Sequence, residues 1–152
     1  MRILDVLDEG SVIADLKGRS KPEVLEELAA PVARLANEEL RDVVEVLLER
    51  ERLGSTGIGG GIGIPHGKLK RLDRMVIGFG LSRKGVDFDS LDGEPTRIFF
   101  LLMAPESSTG LHLKLLARIS RILKNEPFKE RLLQAKSAEE IAAIIKEEDE
   151  EF

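Results

Sequence analysis

At 152 residues and 16.8 kDa, with 42% apolar and 34% charged residues, the chain has the size and apolar content of one domain around one substantial core. A net charge of −5 argues against non-specific binding to nucleic acid or an anionic membrane, and 4% aromatic residues without Trp or Tyr remove the stacking platforms of single-strand binders. Having no cysteine excludes disulfides, thiolate nucleophiles and Cys-ligated zinc, and only two histidines are present.

The opening MRILDVLDEGSVIADLKGRS mixes acids into its apolar residues, unlike a secretory signal or transit peptide. No apolar run approaches the roughly 20 residues needed to span a bilayer, so the expectation is a cytoplasmic chain without membrane insertion. Ser20 and Glu23 form a capping-box pair before a helical stripe of Leu25, Leu28, Ala29, Val32 and Leu35. Pro31 predicts a kink or break near Ala30. Asn37 is placed to cap a second helix, with Leu40, Val43, Val44, Leu47 and Leu48 on one face, ending near Arg52 with Gly54 as the stop.

Half of the chain's 14 glycines then fall between Gly54 and Gly67, in GSTGIGGGIGIPHGK. Ile58, Ile62 and Ile64 suggest a short strand near Gly61 to Pro65, and the glycines permit close approach of backbone to a ligand or partner. MVIGFGL (Met75 to Leu81) and RIFFLLM (Arg97 to Met103) read as two more strands, the second apolar on both faces and therefore central. GVDFDSLDGEP between them is a turn-rich connection with an Asp92-Gly93 signal.

Ser107, Ser108 and Thr109 can cap a helix whose apolar face carries His112, Leu115, Leu116, Ile119, Ile122 and Leu123, which places His112 in its first turn. Pro127 opens another helix to about Ala135, and Ser137 with Glu140 caps a last one through Ile141, Ala142, Ile144 and Ile145. The acidic EEDEEF end, from about residue 147, reads as a solvated tail with little structural role. Helices alternating with a few strands imply an α/β layer arrangement.

Familiar glycine-centred nucleotide motifs fail on their own spacing. A P-loop has four residues between its first Gly and Gly-Lys, then Ser or Thr; here five residues separate Gly61 from Gly67, and Leu69 occupies the hydroxyl position. The GxGxxG fingerprint started at Gly57, Gly59 or Gly61 ends on Ile62, Ile64 or His66. There is no GxSxG, no HExxH and no calcium-loop pattern in DFDSLDG, so neither a serine hydrolase nor a metal cofactor is expected.

His66 lies between Pro65 and Gly67 at the end of the glycine-rich strand, where a neutral imidazole with one nitrogen free can act as a nucleophile. A turn histidine without a role fits the same spacing. His112 reads either as a partly buried core residue or as an imidazole beside an anion at a helix N-terminus. Arg50 and Arg52 either complement the dipole of the second helix or pair with phosphate oxygens.

Read together, ERERLGSTGIGGGIGIPHGK, GVDFDSLDGEPTRIFFLLMAPE and GLHLKLLARISRIL resemble the enzyme IIA component of the fructose-mannitol class of the bacterial phosphoenolpyruvate-dependent sugar phosphotransferase system. The resemblance runs from about Ile3 to Lys146. It implies a single α/β domain, a mixed β-sheet flanked by α-helices, spanning 1–152. It also implies that His66 of the PHG motif is phosphorylated, that His112 of HLK contacts the phosphoryl group and that Arg50 of the Arg-Glu pair stabilises its charge. The implied partner is the histidine-containing phosphocarrier protein, with a IIB domain or regulatory target proteins further on.

Ser55 and Thr56, with backbone N–H groups of Gly59, Gly60, Gly61 and Gly63, are expected around the phosphoryl oxygens, without metal or nucleotide. The single-domain form, IPHGKL and LARISRIL are most similar to the nitrogen-regulatory members. A fructose-type sugar-transport IIA and a non-catalytic regulator that acts by binding alone are the alternatives.

Overall fold

The computed structural model describes residues 2–151 as a six-stranded mixed sheet with helices on both faces. In chain order these are a short 3-10 turn Ile3–Asp5, β1 (Leu7–Ile13), α1 (Lys21–Ala36), α2 (Leu40–Arg52), β2 (Gly57–Gly59), β3 (Ile62–Gly63) and β4 (His66–Leu69). They continue with β5 (Val76–Val86), β6 (Thr96–Pro105), α3 (Thr109–Ile122), α4 (Glu126–Gln134) and α5 (Ala138–Glu151). The strand order is β1-β5-β6-β3-β2, with β4 also on β6 beyond β3. β5 is antiparallel to β6, whereas β1 runs parallel to β5, and β3 and β4 run parallel to β6.

β6 is central, as its doubly apolar sequence predicts, and its alternating side chains feed two separate cores. Ile98, Phe100, Leu102 and Ala104 join Leu115, Ile119, Phe128, Leu132 and Ile141 on the side of α3, α4 and α5. Phe99, Leu101 and Met103 join Leu25, Leu28, Val32, Val43 and Leu47 on the side of α1 and α2. With few aromatic residues, four of the phenylalanines work in edge-to-face pairs, Phe79 with Phe100 and Phe88 with Phe99, one pair in each core.

Several local expectations are corrected. α1 continues through Pro31, which is buried inside it; the one backbone bond that proline removes is offset by burying Leu28, Ala29 and Val32 against the sheet. Asn37 ends α1 instead of opening α2: it adopts the left-handed conformation (φ 55°, ψ 45°), which asparagine tolerates, and its N–H bonds back to Ala33 and Arg34. Leu7–Ile13 is a strand at the edge of the sheet, parallel to β5, a pairing that no local pattern reveals.

The acidic end is not a solvated tail. α5 runs to Glu151, and Asp149 is 1% exposed. Its Oδ1 accepts from Arg118 Nε at 2.6 Å and its Oδ2 from the Leu4 N–H at 3.3 Å, tying the C-terminus to α3 and to the N-terminal turn. Asp149 continues the stripe of Ile141 and Ile145 at helical spacing, so the face that buries the isoleucines also buries this carboxylate. Phe152, the last residue of EEDEEF, lies outside the described residues.

Candidate functional site

His66 opens β4 rather than closing the preceding strand. Register places it beside Leu102 of β6 and Gly67 beside Met103, so the imidazole faces α3 while Gly67 faces α2. A Cβ at Gly67 would come within 2.5 Å of Val46 Cγ1, which explains why glycine follows the histidine: α2 packs directly on the strand there.

His112 stands in the first turn of α3, and the two imidazoles meet edge to face with centroids 5.4 Å apart and ring planes at 86°. The sequence spacing left their meeting open; the register of β4 on β6 and the packing of α3 over β6 bring it about. The His66 Nδ1 lies 2.7 Å from the Ile64 carbonyl oxygen. For the neutral ring, Nδ1–H donates to that carbonyl, and the lone pair is left on Nε2. His112 is 5% exposed, and neither of its ring nitrogens has a hydrogen-bond partner. A buried imidazole in that state is complete only when an acceptor arrives beside it.

Electrostatics keep both rings neutral. Burial lowers the pKa of His66, opposed by the Ile64 carbonyl, with the Arg50 charge lowering it further and Glu51 raising it. For His112, burial and then the nearby His66 and Lys68 bring the value down to about 4. An unfolded histidine titrates near 6.5, so between those values the unfolded chain binds a proton that the folded chain refuses. This contribution to stability is fully present above pH 6.5 and is lost as pH falls from there toward 4. Urea midpoints at about pH 7.5 and about pH 5 are expected to fall more for the wild type than for His112→Gln, which cannot bind the proton; equal slopes in the two proteins would refute the assignment.

Arg50, at the C-terminal end of α2, donates from Nη1 to the Gly54 carbonyl at 2.9 Å, and its charge reaches His66. Arg52 instead lines a groove with Leu40, Val44 and Leu48 on another face of α2, which separates the two arginines. Lys68 is a site residue that the sequence reading did not single out: its Nζ donates to Thr109 Oγ1 at 2.8 Å, at the start of α3. The available signal was the period of two in a strand, which puts Lys68 on the same face as His66.

Gly59, Gly60 and Gly61, expected around the phosphoryl oxygens, are placed apart from His66. Ile62 pairs with Ile98 and His66 with Leu102, so the Gly59–Gly61 turn lies beyond Ile62, more than about 13 Å along the sheet from His66. The Gly60 N–H donates to Asp92 Oδ2 at 3.0 Å, and Gly59, Gly60 and Gly61 all have positive φ, so these glycines shape a distant hairpin. Gly63 sits in the ladder beside Phe99, where a Cβ would come tightly, at 3.2 Å, against that ring and against Thr96. Ser55 Oγ donates to the Phe88 carbonyl at 2.6 Å and Thr56 Oγ1 donates to Glu51, so both hydroxyl protons are committed internally.

Among the described residues, no three His, Cys, Asp or Glu side chains gather as a metal site, and no helix is long and apolar enough to cross a membrane. What converges at the mouth of the site is a pair of neutral imidazoles, the Arg50 and Lys68 charges and the N-terminus of α3, an arrangement suited to an anionic group delivered to Nε2. Fold and site thus define an α/β protein with a paired-histidine centre at a strand start and a helix start.

The model of the family described as phosphoenolpyruvate-dependent sugar phosphotransferase system, EIIA 2, matches residues 5–148, and the chain belongs to that family. It is 41% identical over 145 residues to a nitrogen regulatory protein of Bradyrhizobium diazoefficiens, covering 95% of each chain. It is 35% identical to the fructose-specific EIIABC component of Bacillus subtilis, covering 98% of this chain and 24% of that protein. The crystal structure of the nitrogen regulatory protein IIA-Ntr from Neisseria meningitidis superposes with a TM-score of 0.88 at 35% identity, over 93% of this chain and 97% of that one.

Proposed function

We propose that the protein is a regulatory phosphocarrier that accepts a phosphoryl group on Nε2 of His66 from a histidine-containing phosphocarrier protein. The observation that carries this reading is the hydrogen bond from Nδ1 to the Ile64 carbonyl, which leaves the lone pair on Nε2 of a ring packed edge to face with His112. In the transfer step the Nε2 lone pair forms a new N–P bond as the N–P bond to the donor's histidine breaks, and that electron pair returns to the donor's ring. The proton stays on His66 Nδ1, which keeps donating to the Ile64 carbonyl.

Such a transition state is loose, so the site's work is in-line positioning and charge stabilisation. His112, kept neutral, donates one N–H to a phosphoryl oxygen, while Arg50, Lys68 and the first turn of α3 offset the negative charge. The two histidine roles, and the cytoplasmic setting in which such relays work, belong to this proposal. The regulatory assignment is supported by the near full-length match to nitrogen regulatory proteins. A sugar-transport role, with a IIB domain as the next acceptor, has the fructose-specific relative in its favour; whether neighbouring genes encode IIB and IIC proteins separates the two.

The test is incubation with labelled phosphoenolpyruvate and the two general phosphotransfer proteins. The expected product is a stoichiometric adduct, labile in acid and stable in alkali. A protein that binds its partners yet takes up no label would be a regulator that acts by binding alone.

A further inference from the structure

We infer that Lys21 and Glu51, neither of which reaches the reacting nitrogen, are positioning residues that set the tautomer of the His66 ring through a continuous chain of hydrogen bonds. The inference rests on the reading of His66 as the nucleophile. The chain begins at α1 and ends at the imidazole. Lys21, the first residue of α1, lies over the Phe88 ring with Nζ 4.7 Å from its centroid, 2.9 Å from Glu51 Oε1 and 3.2 Å from Asp89 Oδ2. Glu51, only 9% exposed near the end of α2, accepts the Thr56 N–H on Oε1 at 3.2 Å and the Thr56 hydroxyl on Oε2. The Thr56 carbonyl accepts the Ile64 N–H at 3.0 Å, and the Ile64 carbonyl faces His66 Nδ1 at 2.7 Å.

Three features favour positioning over simple stabilisation. First, Ile64 and Pro65 fall between β3 and β4: the Pro65 carbonyl is held by the Leu102 N–H of β6 at 3.0 Å, whereas the Ile64 carbonyl is turned to the His66 ring and its residue is held through the Ile64 N–H on Thr56, so the aim of that carbonyl depends on Thr56. Second, both oxygens of the Glu51 carboxylate are used on one residue, Thr56, which holds that peptide from its N–H and its side chain together. Third, a buried ion pair is weak evidence for stability, because desolvation offsets its attraction; what it supplies is a fixed geometry. A neutral imidazole interconverts between two tautomers, and the partner of one nitrogen decides which lone pair is free. Loosening Thr56 lets the Ile64 carbonyl drift and releases that choice.

The experiment reads His66 directly. In the wild type, ring nitrogen-15 resonances at neutral pH are expected to show the tautomer with the proton on Nδ1. In Glu51→Gln and Lys21→Met the second tautomer is expected to become visible, and the rate constant of phosphoryl acceptance to fall about 10-fold at unchanged KM for the donor protein, the scale on which the outer partner of a functional histidine acts. Lys21→Arg should restore both. Asp149→Asn serves as the comparison: it weakens the fold at the contact of α5 with α3, touches no member of the chain from Lys21 to Ile64, and should leave the His66 resonances in place. Folded variants with wild-type tautomer and rate, or an equal tautomer change in Asp149→Asn, would overturn the inference. If Glu51→Gln does not fold, Lys21→Met carries the test, because its side chain can still cover Phe88. A wild type that accepts no phosphoryl group would count against the proposed function, while the tautomer measurement still decides the role of Lys21 and Glu51.

Discussion

His66→Ala is expected to lose all uptake of the phosphoryl group while keeping the fold. The imidazole is half-buried at the start of β4, and alanine keeps the Cβ beside Leu102, so the ladder to β6 and both cores remain. What disappears is the only nitrogen in the site with a defined free lone pair. His112 does not take over: it is 5% exposed, and no hydrogen-bond partner fixes which of its ring nitrogens carries the lone pair. A labelling assay paired with a urea unfolding curve separates loss of chemistry from loss of fold. Full labelling of His66→Ala would remove the nucleophile from the account.

Asp149→Ala is expected to cost about 3 kcal/mol, a large share of the 5–15 kcal/mol by which a domain of this size is stable. The carboxylate is 1% exposed, and removing it strips a charged partner from Arg118 and leaves the Leu4 N–H without its acceptor. The Arg118 guanidinium also donates from Nη2 to the Asp149 carbonyl at 2.7 Å, so the side chain and backbone of one residue hold α5 to α3. Glu147, whose pairing with Arg131 at 2.8 Å is solvent-exposed, is the natural control: Glu147→Ala should change stability by no more than about 0.5 kcal/mol. Equal urea midpoints for the two variants would restore the reading of this segment as a solvated tail.

The contrast between these two acids shows what the sequence carries and what it does not. Five of the helices are legible because each has a stripe at helical spacing and several have a recognisable start: Ser20 before α1 and Ser137 before α5 cap through their side chains, and Pro127 stands in the first turn of α4. β6 is legible because it is apolar on both faces. Asp149 was hidden by its neighbours in composition, since a run of acids reads as solvated unless its phase relative to Ile141 and Ile145 is followed to the end. β1 was hidden because its partner, β5, lies some 60 residues away, and long-range parallel pairing leaves no local mark.

The site divides along the same line. The identity of His66 and its chemical potential are visible from Pro65, Gly67 and the family resemblance, but the partners of the ring are products of the fold. Glycine clustering suggested a phosphate cradle at Gly59–Gly61, whereas three positive φ angles there form a hairpin tip bonded to Asp92. Local density of glycine does not say which end of a strand the turn occupies; only the register of β3 and β4 on β6 does. The same register explains Lys68, two residues beyond His66 on one face of a strand, and Arg52 lines a groove on another face of α2, apart from Arg50.

The measurement that bears most directly on the whole account is the position of the phosphoryl group on the His66 ring, read by nitrogen-15 and phosphorus-31 couplings in the labelled protein. With Nδ1 held by the Ile64 carbonyl at 2.7 Å, the account predicts a single N–P bond at Nε2 with the Nδ1 proton retained. A phosphoryl group on Nδ1 of His66, or on His112, would contradict it.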